Sequence, residues 1–144
     1  MNARILSQRL DTQALAMPLN HYDPDHAPDP EAWLALSEDE RLALILAWHD
    51  ANDDIGSANP RVHAAVHVII ENQIAEQEPP LVATKLRQLM VQGLDRHDAI
   101  HAIAFVLTKR MNADMKRSGA SVFSVPLYEA GLHRLNARSW RRIG

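Results

Sequence analysis

Apolar residues recur at intervals of three and four positions along most of this chain, which is the spacing of amphipathic α-helices. Proline, glycine and capping residues separate one periodic segment from the next. No pair of alternating runs is joined by the short turn that indicates a β-hairpin. We therefore predict an all-α protein, a compact bundle of five or six helices that forms a single domain over residues 1–144.

Capping residues predict where the central helices begin, within a core of residues 37–117. Ser37 opens a capping-box pattern, in which Ser and an acidic residue three positions later pair with each other's backbone. Asn59 followed by Pro60 supplies an N-cap and a proline at the first helical position. Asp95 is the predicted N-cap of the next long helix.

The two ends of the chain differ in charge. Residues 1–30 are predicted to form an N-terminal helix and an acidic, proline-rich loop, and residues 126–142 a basic amphipathic helix. Between positions 20 and 54 there are ten acidic residues and one Arg, whereas positions 109–142 hold eight Lys or Arg and two acidic residues. The charged residues could simply lie on solvated surfaces, or the acidic and basic ends of the chain could face each other in the fold. A basic surface that binds a partner is the other explanation of this asymmetry.

Two H-x-x-x-H pairs lie in the apolar runs of the predicted core. They are His63 with His67 and His97 with His101. Residues four apart lie on one face of a helix, so each pair of imidazoles points in one direction. The first pair falls within and beside a predicted inward stripe formed by Val62, Val66, Ile70 and Ile74.

This arrangement predicts a metal site between two helices, with His63, His67, His97 and His101 as ligands. Four buried imidazoles need polar partners, and one divalent ion satisfies a nitrogen on each of them. Because the chain has no cysteine, thiolate ligands are excluded. Zn²⁺ is the predicted metal; Ni²⁺, Cu²⁺ and Fe²⁺ are alternatives because imidazole binds all of them.

Four other residues are candidates for roles at this site. Glu71, one turn after His67, is a candidate further ligand or general base. Asp98 is a second candidate base, because His97-Asp98-Ala99-Ile100-His101 imitates the H-E-x-x-H zinc motif with Asp in place of Glu. Gln73 could hydrogen-bond a ligand imidazole. His49 could be an additional ligand, a partner of a ligand or a cation at the end of its helix.

Three functions follow as alternatives. A closed site of four imidazoles would be structural, in a protein that works by binding a partner. An ion with an open position would instead serve a metal-dependent hydrolase. Nucleic-acid binding through the basic C-terminal region is the third, although a pI near 6.2 and the absence of a recognised binding motif argue against it. The sequence predicts neither an oligomeric state nor a particular substrate.

The sequence predicts a cytoplasmic protein without a membrane segment. No apolar run approaches the roughly 20 residues that span a bilayer. Polar residues interrupt the first nineteen positions, so a signal peptide is not expected. The absence of cysteine is compatible with a reducing compartment.

The histidine segments resemble a small bacterial family of helical proteins of unknown function. The resemblance lies in Asn59-Pro60 before the first pair, in Gln73, in Pro79-Pro80 and in the second pair with Ala99 inside it. Tyr128 followed by Leu132 and Leu135 extends the similarity, which covers roughly residues 59–140. The resemblance implies a shared helical fold and a shared histidine site, and it supplies no activity.

Overall fold

The computed structural model describes residues 19–52, 59–118 and 122–143, and these residues form helices without any strand. The helix predicted within the first eighteen residues lies outside them. Within the described residues seven helices follow one another: α1 (Pro30–Ala35), α2 (Glu38–Ala51), α3 (Pro60–Glu76), α4 (Pro80–Val91), α5 (Arg96–Ser118), α6 (Val125–Arg134) and α7 (Ala137–Ile143). The all-α class and the compact packing predicted from the sequence are confirmed.

Helix α3 is the centre of the fold, because α1 and α2 pack on one side of it and α4 and α5 on another. Its residues Ala64 and Val68 belong to a smaller core that includes Trp33 and Ile45. Its Ile70 belongs to a larger core shared with α4, α5, α6 and α7. Helix α3 therefore joins the two hydrophobic cores that the described residues form.

The predicted helix starts are supported by hydrogen bonds at the caps. Ser37 Oγ accepts from the backbone of Glu40, and Asn59 Oδ1 accepts from the first turn of α3. Asp95 Oδ1 accepts from the backbone N–H of Asp98 at 2.7 Å. Each cap satisfies backbone donors that have no partner inside the helix.

One helix was not predicted, and one local prediction was wrong. Helix α1 lies between the predicted loop, which ends at residue 30, and the predicted helix start at Ser37, and Asp29 caps it by accepting from the backbone of Ala32. The single C-terminal helix predicted for residues 126–142 is two helices, α6 and α7. The break occurs at Leu135, whose backbone is extended, and Asn136 then caps α7 through Ser139.

The inward stripe predicted for α3 was also partly wrong. Val62 is 57% exposed, and Val66 and Ile74 are only half-buried. The buried positions of α3 include Ala64, His67, Val68, Ile70 and Glu71. The prediction assumed that α3 buries a single face. Helices α1 and α2 cover it from one direction and α4 and α5 from another, so its buried positions do not form one stripe.

The two tyrosines of the chain provide an optical test of this packing. Burial, together with the Glu71 carboxylate, raises the pKa of Tyr22, and burial raises the pKa of Tyr128. The neutral phenols are thus favoured in the folded state, so their stability contribution is present below about pH 10 and lost as the pH rises further. We expect tyrosinate absorbance to appear near pH 10 in urea but only on unfolding in buffer. Reversible ionisation of the folded protein near pH 10 would contradict this packing.

Candidate metal centre

Five histidines from three helices meet where the two cores adjoin; His49 comes from α2, His63 and His67 from α3, and His97 and His101 from α5. We call this group the histidine cluster. The i,i+4 spacing brings the rings of His63 and His67 to 4.8 Å and those of His97 and His101 to 4.2 Å between centroids. The packing of α2 and α5 against α3 brings these helices together.

Four of these side chains have the spacing of a metal site. One potential ligand atom from each of His49, His67, His97 and His101 lies within 4.8 Å of the other three. Within this group, His67 Nε2 and His101 Nε2 lie 3.0 Å apart. Zn–N bonds of about 2.0–2.1 Å imply N···N separations of about 3.3–3.4 Å in a tetrahedral site, so modest side-chain rotations would complete the coordination.

A backbone contact orients His49. Its Nδ1 lies 2.8 Å from the carbonyl oxygen of Ile45, one turn earlier in α2. The carbonyl can only accept, so Nδ1 carries the proton and Nε2 carries the lone pair. Ligand histidines in metal sites are held in the same way, with one nitrogen donating to the protein and the other available to the ion.

The environment of His67 keeps its imidazole neutral. Burial, followed by the nearby imidazoles of the cluster, lowers its pKa far below the usual 6.5. Its Nδ1 is buried and has no hydrogen-bond partner among the described residues. A neutral imidazole is the form that binds a metal, because protonation removes the lone pair.

His63, a predicted ligand, lies at the edge of the cluster. Its ring packs at 4.8 Å from His49, at 4.8 Å from His67 and at 5.0 Å from His101. It is outside the four-residue group with mutual metal spacing, and His49 occupies the fourth place there. The structure thus brings together all four predicted ligands and adds the histidine that the sequence presented as an additional candidate.

Glu71 lies outside the histidine cluster and faces a buried arginine. Arg96 donates from Nη1 to Glu71 Oε1 at 2.8 Å and from Nη2 to Oε2 at 2.9 Å. Tyr22 donates its hydroxyl proton to Oε1 at 2.7 Å. Both carboxylate oxygens are therefore engaged within the protein, which does not favour Glu71 as a ligand or a general base.

The other two sequence candidates also have partners of their own. Asp98 Oδ1 accepts from the indole N–H of Trp140 at 3.0 Å. Gln73 Oε1 accepts from the hydroxyl of Tyr128 at 2.8 Å, so this oxygen already has a partner outside the histidine cluster. Among the residues that the structure describes, the group with metal spacing consists of imidazoles alone.

The N-terminal loop reaches the edge of the cluster through two contacts that the sequence did not predict. Asp25 Oδ1 accepts from the backbone N–H of His97 at 3.2 Å, at the start of α5. Arg96 Nη1 also donates to the carbonyl of Pro24 at 2.9 Å. These contacts connect residues more than seventy positions apart, so no local pattern could have indicated them.

The basic C-terminal region is partly paired with an acid. Asp114 is buried, and its Oδ1 contacts Arg110 at 2.8 Å and Arg117 at 3.3 Å. Hydrogen bonding from the backbone of Ser124 holds the pKa of Asp114 below its usual value, and Arg110 and Arg117 add to this effect. The remaining Lys and Arg side chains of residues 109–142 are exposed; they are Lys109, Lys116, Arg134, Arg138, Arg141 and Arg142.

The fold and the site define an all-α protein with a cluster of five histidines between three helices. Residues 28–122 match the family described as Domain of unknown function (DUF1841), and because the match covers more than half of the chain, the protein belongs to that family. The matched stretch contains the whole histidine cluster. No curated protein and no solved structure matched the chain. None of the helices in the described ranges has the length and apolarity needed to cross a bilayer.

Proposed function

We propose that the protein binds one transition-metal ion at the histidine cluster, with His49, His67, His97 and His101 as ligands and His63 beside them. The observation that carries this proposal is the mutual spacing of four imidazoles from three helices within 4.8 Å. The orientation of His49 by the Ile45 carbonyl and the neutral state of His67 support it. An acidic ligand is not needed, since zinc sites of imidazole alone exist.

Zn²⁺ is the proposed metal, and the donor set gives the reason. Imidazole without thiolate suits Zn²⁺, Ni²⁺, Cu²⁺ and Fe²⁺, whereas Mg²⁺ and Ca²⁺ require oxygen ligands. Zn²⁺ has no geometric preference from its d electrons, so it can accept the ligand positions that the packing of three helices supplies. Ni²⁺, Cu²⁺ and Fe²⁺ are the alternatives that elemental analysis distinguishes.

The proposed ion stabilises the fold by joining α2, α3 and α5. Helix α2 belongs to the smaller core, α5 belongs to the larger core, and α3 contributes to both. The ion would therefore link the two cores. Metal that binds only the folded state adds about 2.7 kcal/mol to stability when the free ion is a hundred times its dissociation constant. A stabilised fold that presents its surface to a partner is the function this arrangement favours over hydrolysis, because both candidate bases are engaged elsewhere.

Elemental analysis of the purified, untagged protein tests the proposal. We expect close to one metal ion per chain in the wild type and loss of this metal in a His97→Ala/His101→Ala double variant. A His133→Ala variant is the matched control, because it removes an exposed imidazole on α6 that lies outside the histidine cluster. Absence of metal from the wild type after incubation with Zn²⁺, Ni²⁺, Cu²⁺ and Fe²⁺ would refute the proposal.

A further inference from the structure

A groove of about 370 Å³ opens beside the histidine cluster. His63 and His101 form one part of its lining, and both rings are only half-buried. The rest of the lining comes from α3, α5 and α7, namely Val62, Val66, Ala104, Phe105, Thr108 and Trp140. Its volume lies in the range of small-ligand pockets, and its position gives a ligand direct access to two imidazoles of the cluster.

The polar capacity of this groove is concentrated at its histidine end. The hydroxyl of Thr108 donates to the carbonyl of Ala104 at 2.8 Å, and the indole N–H of Trp140 donates to Asp98. Both polar groups on the remaining walls are thus engaged in internal hydrogen bonds. A ligand that fills the groove would place carbon against Val62 and Phe105 and its polar group at the imidazoles.

The charge of a bound metal ion determines which polar group of a ligand would bind next to it. The four residues with metal spacing are all histidines, and neutral imidazole ligands leave the charge of a divalent ion uncompensated within its ligand set. A carboxylate ligand from the protein would have reduced that charge, but Glu71 is held by Arg96 instead. An anionic group supplied by a ligand would reduce that charge by entering as a fifth ligand, because Zn²⁺ can expand from four to five ligands.

We propose that the groove binds a small monocarboxylate with an apolar tail, whose carboxylate coordinates the metal and whose tail lies against Val62 and Phe105. This inference rests on the proposed metal centre. The ion is the anchor for the head group, and the apolar walls give selectivity for the tail.

The probes are acetate and hexanoate, titrated separately into the Co²⁺-loaded protein and followed by the visible absorption of the ion. Co²⁺ accepts the same imidazole ligands, and its spectrum changes when a carboxylate enters the coordination sphere. Hexanoate has four additional methylenes. If about half of their surface is buried in an open groove, hexanoate should bind about tenfold more tightly than acetate.

An exposed valine allows the groove to be blocked without disturbing a core. Val62→Trp should fill the space beside His63, leave the Co²⁺ spectrum of the ligand-free protein unchanged and reduce the preference for hexanoate to within about twofold. Val91→Trp is the matched control, because Val91 is 88% exposed on α4 and is not among the lining residues. This control should keep the tenfold preference.

The failures of the two proposals give different results. Absence of uptake of Co²⁺ and of Zn²⁺, Ni²⁺, Cu²⁺ and Fe²⁺ would overturn the metal centre and this inference with it. Metal uptake with an unchanged spectrum at saturating acetate and hexanoate would leave the metal centre intact and overturn the carboxylate site. Equal affinities for the two anions, or a tail preference that survives in Val62→Trp, would overturn the assignment of the groove.

Discussion

Replacing Glu71 by Gln is expected to lower the free energy of unfolding of the metal-free protein by about 3–5 kcal/mol. The variant leaves the Arg96 guanidinium buried and without its counter-charge. Arg96 is 4% exposed and Glu71 is 1% exposed, so water cannot replace the lost carboxylate. Glu71 raises the pKa of Arg96 against the opposing effect of burial, which means that the arginine stays charged in the folded state.

The geometry of this pair makes the effect larger than that of a surface ion pair. Two parallel N–H···O bonds join the guanidinium to the carboxylate, and Tyr22 adds a third hydrogen bond. The same guanidinium donates to the carbonyl of Pro24. Loss of Glu71 therefore also loosens the N-terminal loop from the start of α5, whereas exposed pairs contribute at most about 1 kcal/mol.

Urea unfolding followed by circular dichroism in the presence of a chelator measures this difference without a metal contribution. Glu76→Gln is the matched control, because it removes a carboxylate from an exposed position of the same helix and should change stability by less than about 0.5 kcal/mol. A Glu71→Leu/Arg96→Met double variant should lose less than Glu71→Gln, since no unpaired charge remains. A Glu71→Gln effect below about 1 kcal/mol would show that the pair is not the buried contact described here.

The same variant distinguishes the structural role of Glu71 from the ligand role that the sequence indicated. A carboxylate held by Arg96 and Tyr22 predicts that folded Glu71→Gln protein keeps the metal content of the wild type. A metal ligand at this position predicts that the metal is lost. Glu71 follows His67 by one helical turn, and this spacing is compatible both with a metal ligand and with a partner of Arg96. The sequence alone therefore does not distinguish the two roles.

The histidine cluster was largely predictable because its signal is local. Two i,i+4 pairs inside apolar helices fix which side chains share a face, and helix packing then brings the faces together. His49 could have been placed there as well. It follows Arg41 and Ile45 at intervals of four, and these three residues are the buried positions of α2. A histidine in line with a buried isoleucine is a sign that it points inward.

Two features were not predicted from the sequence: the long-range contacts of Glu71 and the helix start at Asp29-Pro30. Glu71 and Arg96 are 25 residues apart, and Tyr22 is 49 residues from Glu71, so only the fold brings these charges together. At the cap of α1, Asp29-Pro30 has the same pattern as Asn59-Pro60. A long apolar run follows Asn59-Pro60, whereas the helix that follows Asp29-Pro30 has only six residues and gives no periodic signal of its own.

Substitution of His49 by Ala is expected to weaken Zn²⁺ binding by about a hundredfold or more, whereas His63→Ala should weaken it by about tenfold or less. Zinc binding to a structural site has an apparent free energy of about 10–16 kcal/mol, which corresponds to several kcal/mol for each of four ligands. His49 belongs to the group with metal spacing. His63 packs beside that group and would affect affinity only through the rings it supports.

Competition with a zinc chelator of known affinity measures the two variants against the wild type. His133→Ala, at an exposed position of α6, is the matched control with no expected change.

The comparison separates two ligand sets that share His67, His97 and His101. The H-x-x-x-H spacing alone makes His63 the fourth ligand, because it pairs with His67 on one helix. In the folded structure the fourth imidazole with metal spacing is that of His49, which α2 brings from a different part of the chain. A larger loss in His63→Ala than in His49→Ala would restore the two-helix site, and equal hundredfold losses would indicate that all five imidazoles coordinate the ion.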